Sequence, residues 1–307
     1  MPTILLTGAT GFIGSHLLRE LLRHGYQVAA VIRPNSDVRR IQKHLPQIKI
    51  CANDIASLQT LFSTTPIDTV VHLATTYYKQ HKTAEEAAVM LETNVAFPAS
   101  ILDLMRQFGV KKFVAAGTFF EYDLAGRQAL NEDSPLRPFN LYAQTKQMFH
   151  DVMNFYSATY QIRTAYLRLF GPYGPDDNDK LVTFLVKSLR AHTPLTLTPG
   201  EQQWNFTYVG DIVEAFMKAI EFVSQPDGSS EVFNIGATET HSIKEVVETL
   251  EAVSGEHTEV SYTKPYPPNE IFYVNCDGLK AKQVLGWEAR TSLRDGLRAT
   301  WEFNPSQ

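Results

Sequence analysis

A glycine-rich turn between a short apolar run and an amphipathic run sets the strongest limit on how this chain folds. The apolar run is TILLT at residues 3–7, and the turn after it places Gly8, Gly11 and Gly14 three residues apart. Small residues there let the backbone approach a pyrophosphate, whose charge is stabilised by the free N–H groups that begin the next helix. A glycine triplet alone is a weak signal, but here it follows a strand pattern and precedes a helix pattern that runs from Phe12 to about His24. The sequence therefore predicts a dinucleotide site at the start of the first helix.

Apolar and amphipathic runs alternate through the first 170 residues. Buried strands are predicted at 3–7, 27–32, 48–52, 68–74, 111–117 and 163–170. Helices are predicted at 12–24, 37–44, 84–108 and 141–160. Strands that alternate with helices are joined by right-handed crossovers and form a parallel sheet covered on both faces. The expected fold class is therefore α/β, with a doubly wound parallel sheet.

The pattern changes after Phe170, where short strands mix with helices near 209–223, 242–253 and 292–303, and a further buried strand is predicted at 231–236. We expect a dinucleotide-binding domain and a smaller mixed α/β lobe that binds substrate. The domain comprises 1–170 and 206–237, and the lobe comprises 171–205 and 238–307.

Composition argues against several classes of function. The net charge is −5 and the pI is near 6.0, whereas a nucleic-acid-binding protein needs a basic patch. No segment was expected to reach the ~20 apolar residues of a membrane span, so we predict a soluble, cytoplasmic protein without a membrane partner. Cys51 and Cys276 lack the spacing of metal ligands and are expected to be reduced thiols. No metal site is predicted.

The residues after the second and third strands bear on which dinucleotide is bound. An acidic residue at the end of the second strand would accept hydrogen bonds from the ribose and favour NAD. This chain has Arg33 there and Asp37 only further on, and a guanidinium suits a 2′-phosphate. We therefore expect NADP, used as NADPH, with NAD possible; the alternative is that Arg33 is only a solvated loop residue. Asp54 is expected to contact the adenine amino group.

Tyr142 and Lys146 lie four residues apart in the run YAQTK, on one face of the predicted helix 141–160. Such pairs are common, and this one is informative because it follows the fifth strand, which ends near Thr118. A tyrosine with its reference pKa of ~10 is a poor base at neutral pH, so we expect the neighbouring ammonium and the cofactor to favour the phenolate. Thr118 would hydrogen-bond the same carbonyl or alcohol oxygen while a nicotinamide moves the hydride. The expected chemistry is carbonyl–alcohol redox.

Further motifs accompany these residues: TGATGFIG, HLA at 72–74, Thr118 four residues before Tyr122, YAQTK, FTYVGDIVEAF at 206–216, FNIG at 233–236 and LGW at 285–287. With them the chain resembles the extended short-chain dehydrogenase/reductases, in the branch of nucleotide-sugar epimerases and dehydratases. The resemblance implies a Rossmann sheet, a catalytic triad of Thr118, Tyr142 and Lys146, and an organising role for Asn94. Together with the turn and the strand ends, it predicts these cofactor contacts: Gly8, Gly11, Phe12, Ile13, Gly14, Arg33, Asp54, Ile55, Leu73, Ala74, Thr75, Asn94, Tyr142, Lys146 and Phe170.

The residues after Thr118 narrow the reaction. Family members that dehydrate a hexose carry Asp and Glu at the next two positions, which supply acid and base; this chain has Phe119 and Phe120. Phenyl rings transfer no protons, so dehydration and decarboxylation are disfavoured. Glu121 is expected to point away from Phe120 by strand alternation. Two reactions need only the triad: reduction of a 4-ketone, and 4-epimerisation through a transient ketone.

We predict NADPH-dependent reduction of the 4-keto group of a CDP- or dTDP-linked deoxyhexose, in surface-polysaccharide or deoxysugar biosynthesis. Arg33 favours a cofactor that is exchanged at each turnover, whereas an epimerase retains its own and usually pairs with NAD. The run NLYAQTKQMFHDV at 140–152 also resembles 4-ketoreductases of the abequose and paratose synthase type. The alternatives are an NAD-dependent nucleotide-sugar 4-epimerase, a non-catalytic dinucleotide-binding sensor of the same fold, and a reductase of a non-sugar ketone.

The nucleotide-sugar substrate is expected to contact Thr118, Phe119, Phe120, Tyr78, Gly171 and Trp204. The two phenylalanines would form an apolar wall, although core packing is the alternative for Phe119 and for Trp204. Many family members carry Asn in place of Gly171 and Arg-Asp in place of Trp204 and Asn205, which puts the usual handling of UDP or dTDP in doubt. The resemblance also implies a homodimer formed through the helices 84–108 and 141–160.

Overall fold

The computed structural model describes residues 1–178, 180–225 and 229–304, in which strands alternate with helices. The strands are β1 (Thr3–Thr7), β2 (Gln27–Val31), β3 (Lys49–Cys51), β4 (Ile67–His72), β5 (Lys112–Thr118), β6 (Arg163–Leu169), β7 (Pro172–Tyr173), β8 (Leu195–Thr196), β9 (Gln203–Asn205), β10 (Thr207–Tyr208), β11 (Glu231–Ile235), β12 (Thr240–Ser242), β13 (Val260–Ser261) and β14 (Tyr273–Val274). The helices are α1 (Phe12–Arg23), α2 (Ile55–Thr64), α3 (Ala84–Leu91), α4 (Phe97–Phe108), α5 (Leu141–Tyr160), α6 (Leu181–Arg190), α7 (Val209–Ser224), α8 (Ile243–Ser254) and α9 (Leu293–Glu302).

Seven of the strands form one sheet in the order β11-β6-β5-β4-β1-β2-β3. β1 pairs in parallel with β2 and β4, and the pairs β2–β3, β4–β5 and β5–β6 are parallel as well. The chain builds outward from β1 to β3, then returns to β4 on the other side of β1. Ligands of such sheets bind where the strand order reverses, beyond the carboxyl ends of the strands. The predicted doubly wound parallel sheet is confirmed, and its reversal point lies between β1 and β4.

Three segments differ from the sequence-based prediction. Helices α2 and α6 were not predicted, and the helix expected at 37–44 is a 3₁₀ helix at Arg39–Gln47 that contains Pro46. α2 begins at an N-cap, Asp54, whose carboxylate accepts the backbone N–H of Ser57 at 2.8 Å. An Asp that caps a helix and an Asp that binds a ligand are the same signal in sequence, and here the capping role accounts for both carboxylate oxygens, since the second accepts from the Ser57 hydroxyl at 2.7 Å.

The contacts divide the chain into two compact units, and the first comprises Met1–Asp123, Ser134–Leu169 and Val213–Phe233. Its core lies between the sheet and the helices α4 and α5. Phe113 on β5 and Phe149 on α5 are almost fully buried, and their rings meet edge to face with centroids 6.0 Å apart. This core fixes α5 against β5, which matters because α5 carries Tyr142 and Lys146.

The stretch from α3 to α4 is one long helix, interrupted by a π-helical turn at Glu92–Ala96. By length and apolar composition alone, Ala84–Phe108 could cross a membrane, which the sequence analysis did not anticipate. Its apolar side chains Ile101, Leu102 and Met105 are buried in the core of the first unit. A stripe of this kind is typical of a helix that packs on a sheet, and the helix forms a layer of the fold.

The second unit comprises Leu124–Asp133, Phe170–Ile212 and Asn234–Gln307. It contains small sheets, among them one in the order β12-β9-β14, and a core formed by α6, α8 and α9. Leu185 and Leu250 are among the fully buried members of that core.

The position of Phe113 gives a test of the first core. We expect Phe113→Ala to lower the free energy of unfolding by about 3–5 kcal/mol, because it removes a fully buried ring and leaves a cavity. Phe184→Ala is the matched control, since 48% of that side chain is exposed, and its effect should stay within about 1 kcal/mol. Chemical denaturation curves of the two variants measure the difference, and equal midpoints would contradict the assignment of this core.

Candidate active site

The turn after β1 forms a cradle of backbone atoms. Gly8 has a φ of +74°, and a Cβ at Gly14 would lie 2.1 Å from the carbonyl oxygen of Gly8. The residue that caps α1 is Gly11, so no side chain closes the first turn of the helix. The first N–H groups and the positive end of α1 are thus presented to an anion, which fits the pyrophosphate of a dinucleotide. Of the other predicted contacts on this helix, Phe12 is buried and Ile13 is half-buried.

The turn packs tightly against the end of β4. A Cβ at Gly8 would lie 2.7 Å from the backbone of Leu73 and of Ala74. The Thr7 hydroxyl accepts hydrogen bonds from the N–H groups of these two residues at 3.2 and 3.1 Å, which leaves its own proton for Nδ1 of His72 at 2.8 Å. Burial lowers the pKa of His72 to about 3, so this ring is a neutral, buried structural residue. Leu73 and Ala74 are placed where a dinucleotide would reach them.

The predicted contacts beyond β2 and β3 are at the surface. Arg33 is exposed, and its carbonyl oxygen accepts the N–H of Ser36 in a turn. Asp54 is exposed at the cap of α2, and 44% of Ile55 is exposed. The Arg33 guanidinium is exposed and is not held in a buried geometry that would bind a phosphate. Arg33 by itself is therefore weak evidence for the choice of cofactor.

Thr118, Tyr142 and Lys146 come from β5 and α5. Asn140 caps α5 by accepting the N–H of Ala143 at 2.9 Å, which places Tyr142 in the first turn of the helix. Lys146 follows one turn later and donates from Nζ to the carbonyl oxygen of Ala116 on β5 at 3.0 Å. Its Nζ lies 5.9 Å from the centroid of the Tyr142 ring. Thr118 ends β5, and its side chain lies close enough to the Tyr142 hydroxyl to act towards a lower pKa of Tyr142. The three predicted catalytic residues are therefore brought together.

Asn94 fixes the loop that follows β4. Its side-chain oxygen accepts from the Thr76 N–H at 2.8 Å and from the Thr75 hydroxyl at 3.1 Å. Its amide donates to the Thr76 carbonyl oxygen at 3.0 Å and to the Thr145 hydroxyl at 2.9 Å. The π-helical turn directs this side chain inward, and π-helical turns are frequent at functional sites. Asn94 thereby ties the loop after β4 to α5 beside Tyr142.

Tyr77 is a neighbour of the site that the sequence analysis did not select. Its ring stands edge to face on the ring of Tyr142, with centroids 4.8 Å apart. The prediction named Tyr78 instead, which is half-buried in the same loop. Both tyrosines lie in the loop after β4. The backbone of Thr76, which Asn94 fixes by hydrogen bonds, determines that the ring of Tyr77 contacts Tyr142.

Burial sets the protonation of the two ionisable members of the site. It raises the pKa of Tyr142 above its ordinary value, and the charges of Glu121 and Tyr77 act in the same direction. It lowers the pKa of Lys146 to about 8, against the opposing effect of Glu121. The ammonium was predicted to favour the phenolate, but among the protein's own groups burial outweighs that effect. Tyr142 is therefore held as a phenol, ready to act as an acid.

The two phenylalanines have different environments. Phe119 is 4% exposed and packs in the interior, as the core-packing alternative proposed. Phe120 is half-buried, and its ring stacks on Phe139 with centroids 5.6 Å apart. Phe139 itself is 40% exposed. This stacked pair, unlike Phe119, can present an apolar surface near Thr118.

Strand alternation, from which the direction of Glu121 was predicted, does not apply at this position. The strand ends at Thr118, and Phe119–Glu121 form a 3₁₀ turn, so strand alternation no longer applies. The Glu121 side chain is fully buried and turns back to accept the N–H of Thr118 at 2.8 Å. A Thr followed three residues later by Glu is the sequence pattern of a capping box, and that pattern was the available signal.

Three predicted residues belong to the second unit. Phe170 is fully buried there, with its N–H on the carbonyl oxygen of Ile235 at 2.9 Å. A Cβ at Gly171 would lie 1.8 Å from the carbonyl oxygen of Asn205, so the Asn common in the family would not fit this backbone. Trp204 donates from Nε1 to the carbonyl oxygen of Ile271 at 2.8 Å and packs on the core of the unit, in line with the packing alternative.

Comparison with known proteins places these features in one family. The family model described as the NAD dependent epimerase/dehydratase family matches residues 4–236. A UDP-glucuronate 4-epimerase from Thermodesulfobacterium geofontis is 30% identical over 319 residues, which cover 98% of this chain and 95% of that protein. The crystal structure of the UDP-glucuronic acid 4-epimerase from Bacillus cereus, in complex with UDP-glucuronic acid and NAD, covers 98% of each chain with a TM-score of 0.87 and 29% identity. The UDP-glucose 4-epimerase from Thermotoga maritima, with UDP-glucose, also covers 98% of each chain, with a TM-score of 0.86 and 26% identity.

These relatives overturn the predicted reaction. Reduction of a CDP- or dTDP-linked 4-keto deoxyhexose is wrong, because the relatives along the whole chain are named as 4-epimerases of UDP-sugars. The resemblance to ketoreductases of the abequose and paratose type has no support among them. A dinucleotide cofactor is supported, but a preference for NADP is not, since the neighbour from Bacillus cereus holds NAD. The physical reason for the error is that a triad of Thr, Tyr and Lys serves both reactions equally.

The cradle at Gly14 can be tested by binding. We expect Gly14→Ala to abolish measurable dinucleotide binding, because the added methyl would meet the carbonyl oxygen of Gly8 and displace the turn. Gly278→Ala is the control, since a Cβ there meets no atom within 4 Å. Quenching of protein fluorescence by NADH measures both affinities. Equal affinity in the two variants would show that the turn does not hold the pyrophosphate.

Proposed function

Because the chain belongs to the NAD dependent epimerase/dehydratase family, we propose that it is an NAD-dependent 4-epimerase of a UDP-hexose. The observation that carries the proposal is the grouping of buried Thr118 and Lys146 with half-buried Tyr142, in a chain whose full-length relatives are named as 4-epimerases of UDP-sugars. The next two positions after Thr118 hold phenyl rings, so proton transfer at this strand end rests on Tyr142.

The mechanism follows from what the three side chains can do at a secondary alcohol. Tyr142 and Thr118 both reach the oxygen on C4 of the sugar; Thr118 hydrogen-bonds it and Tyr142 exchanges a proton with it. NAD, when bound, supplies the acceptor and later the donor of the C4 hydride, together with a positive charge on its oxidised ring. In the first half, Tyr142 acts as the phenolate, which Lys146 and the charge of bound NAD would favour, and takes the hydroxyl proton as C4 becomes a ketone. In the second half, the ketone presents its other face and Tyr142 returns the proton to the oxygen. The configuration at C4 is inverted and there is no net redox change.

Lys146 supports the phenolate form of Tyr142 within this cycle. Its ammonium is 2% exposed and is oriented by the carbonyl oxygen of Ala116. With a pKa lowered to about 8 by burial, it is still mostly charged near neutral pH. A cation 5.9 Å from the ring offsets part of the burial that holds Tyr142 protonated.

NAD suits this reaction better than NADP. A 4-epimerase returns the hydride to the same substrate, so it retains its cofactor and requires no pool of reduced NADPH. Arg33 is exposed just beyond β2, and the preference for NADP that it suggested has no support from the neighbours that bind NAD. We assign the dinucleotide to the first unit, through the cradle of Gly8, Gly11 and Gly14. Substrate contacts of the second unit, at Gly171 and Trp204, remain predictions from sequence.

Within the UDP-sugars, the stacked pair of Phe120 and Phe139 favours a neutral hexose over a uronic acid. Phe120 follows shortly after Thr118 in sequence, and Phe139 immediately precedes Asn140, the N-cap of the helix that carries Tyr142. An apolar surface packs well on the C–H face of a sugar, whereas burying a carboxylate against it costs several kcal/mol unless a cation pairs with it. We therefore place UDP-glucose and UDP-galactose ahead of UDP-glucuronate, with a cytoplasmic location as expected from the sequence.

Tyr142→Phe tests the proposed chemistry. We expect kcat for interconversion of UDP-glucose and UDP-galactose to fall about 10³-fold, because the variant lacks the group that transfers the proton, while KM changes little. Tyr160→Phe, near the end of the same helix, is the control and should retain full activity. Proton NMR of the anomeric signals follows both sugars, and chromatography of the nucleotide released on denaturation identifies the retained cofactor.

Either of two results would overturn the proposal. One is an active wild-type enzyme that Tyr142→Phe leaves unimpaired. The other is a purified, folded protein that interconverts no UDP-sugar and releases no NAD.

A homodimer is proposed from exposed apolar side chains on three helices of the first unit. They lie on α3, α4 and α5 and are Val89, Leu91, Phe108, Met148 and Phe155. A second copy would remove this surface from water. Light scattering after size-exclusion chromatography should give twice the monomer mass of 34.6 kDa, and Phe155→Glu should shift it towards the monomer. A monomer at micromolar concentration would contradict the proposal.

A further inference from the structure

A buried carboxylate lies directly behind the candidate active site. Glu121 is fully buried, and its Oε1 accepts the N–H of Thr118 at 2.8 Å and the hydroxyl of Tyr166 at 3.0 Å. Its Oε2 accepts Nε of Arg168 at 3.1 Å. Placing such a pair in the interior costs several kcal/mol per ion, so its presence calls for a purpose other than stability.

The carboxylate is linked to α5 as well as to the sheet. The Tyr166 hydroxyl lies 3.0 Å from Glu121 and 3.1 Å from the carbonyl oxygen of Lys146. Arg168, next in the same row of β6, donates from its guanidinium to the Tyr122 hydroxyl at 3.0 Å and lies over that ring at 4.7 Å. Glu121 thus joins the end of β5, the strand β6 and the helix turn that carries Lys146.

The neighbours of Tyr166 leave it little freedom. A Cβ at Gly117 would lie 2.4 Å from Cε1 of the Tyr166 ring and 2.9 Å from Oε1 of Glu121. The His150 ring stacks on the Tyr166 ring, with centroids 4.6 Å apart. Gly117 is therefore the residue that makes room for the network, and the glycine immediately before Thr118 has a physical explanation.

We propose that Glu121 is a positioning residue of this active site: it fixes the backbone of Thr118 and, through Tyr166, the turn of α5 that carries Lys146, and its negative charge acts on the proton of Tyr142. The proposal rests on the proposed function for its kinetic consequences. Its geometric part depends only on the contacts above.

The charge acts in a definite direction. The polar and ionisable groups that face Tyr142 are those of Thr75 and Tyr77 from the loop after β4, Thr118 and Glu121 from the end of β5, and Lys146 from α5. Burial contributes most to the raised pKa of Tyr142, and Glu121 is the next largest cause. A carboxylate disfavours a nearby phenolate, so Glu121 opposes Lys146. Tyr142 then keeps its proton until additional positive charge beside it lowers its pKa enough for that proton to be released, and only the phenolate can then accept a proton from a substrate hydroxyl.

Glu121→Gln isolates the charge, because the amide oxygen can still accept the Thr118 N–H. We expect the pKa of Tyr142 to fall by about one unit or more, so that the acidic limb of the kcat profile moves to lower pH by the same amount. Tyrosine labelled with ¹³C at Cζ reports the same titration without turnover, in protein supplied with NAD. The signal of Tyr142 is identified by its loss in Tyr142→Phe.

Glu132→Gln is the matched control. That carboxylate is also partly buried and accepts a backbone N–H, from Asn234 at 2.6 Å, but it lies in the second unit. It should leave both the NMR titration and the pH profile of kcat unchanged. An equal titration of Tyr142 in the wild type and in folded Glu121→Gln would overturn the role of the charge.

Tyr166→Phe tests the positioning link, since it keeps the ring and the carboxylate but removes the hydroxyl that contacts both Glu121 and the Lys146 carbonyl. We expect kcat to fall about tenfold, as small displacements of reacting groups do, without movement of the acidic limb. Unchanged kcat would overturn the positioning role. If circular dichroism shows that Glu121→Gln does not fold, Glu121→Gln combined with Arg168→Gln removes both buried charges and should still lower the pKa of Tyr142, by less than Glu121→Gln alone because the positive charge of Arg168 is lost too.

The two proposals can fail independently. A shifted NMR titration in a protein that interconverts no UDP-sugar would refute the proposed function and uphold the role of Glu121. An active epimerase with an unshifted titration would do the reverse.

Discussion

The close contact between Gly8 and the end of β4 is the constraint on which the rest of the site depends. A side chain at Gly8 would collide with the backbone of Leu73 and Ala74, and its φ of +74° suits glycine. The Thr7 hydroxyl locks the same contact by accepting both N–H groups. This contact sets the start of α1, where a pyrophosphate would bind, and the direction in which the chain leaves β4. Asn94 can then hydrogen-bond the loop after β4, which places the ring of Tyr77 against Tyr142.

Two buried ionisable groups of the first unit lie beside the phenol of Tyr142. Lys146 and Glu121 are both buried beside Tyr142 and act on it in opposite directions. A lysine alone would favour a permanent phenolate, and a carboxylate alone would favour a permanent phenol. A group that must take a proton in one half of a cycle and return it in the other needs a balance between the two. Burial raises the pKa of Glu121, and Arg168 opposes that effect by pairing with the carboxylate.

Much of this could be predicted from the sequence, and the failures have physical causes. Tyr142 and Lys146 were found because helical spacing fixes one face, and Thr118 because a parallel sheet aligns its strand ends. The burial and hydrogen bonds of Glu121 were not predicted, because strand alternation no longer holds in the 3₁₀ turn that follows the strand end. Tyr77 and Tyr78 could not be separated, since only the hydrogen bonds of Asn94 decide which ring meets the site. Helices α2 and α6 were missed although their buried faces recur at helical spacing, as Leu58, Leu61 and Phe62 do in α2.

The choice between reduction and epimerisation lies beyond what residue types can decide. Both reactions place a C4 oxygen between Thr118 and Tyr142, and both transfer one hydride and one proton. They differ in whether the ketone turns over before the hydride returns and in whether the cofactor leaves. Whether the ketone turns over depends on the room that the site leaves around the sugar. Whether the cofactor leaves depends on the affinity of the cradle for the dinucleotide. A single exposed arginine changes neither by enough to decide the reaction, because a surface charge pair contributes at most about 1 kcal/mol. Similarity along the whole chain reflects the combined effect of many such small contributions. For this reason the relatives correct a prediction that was based on Arg33 alone.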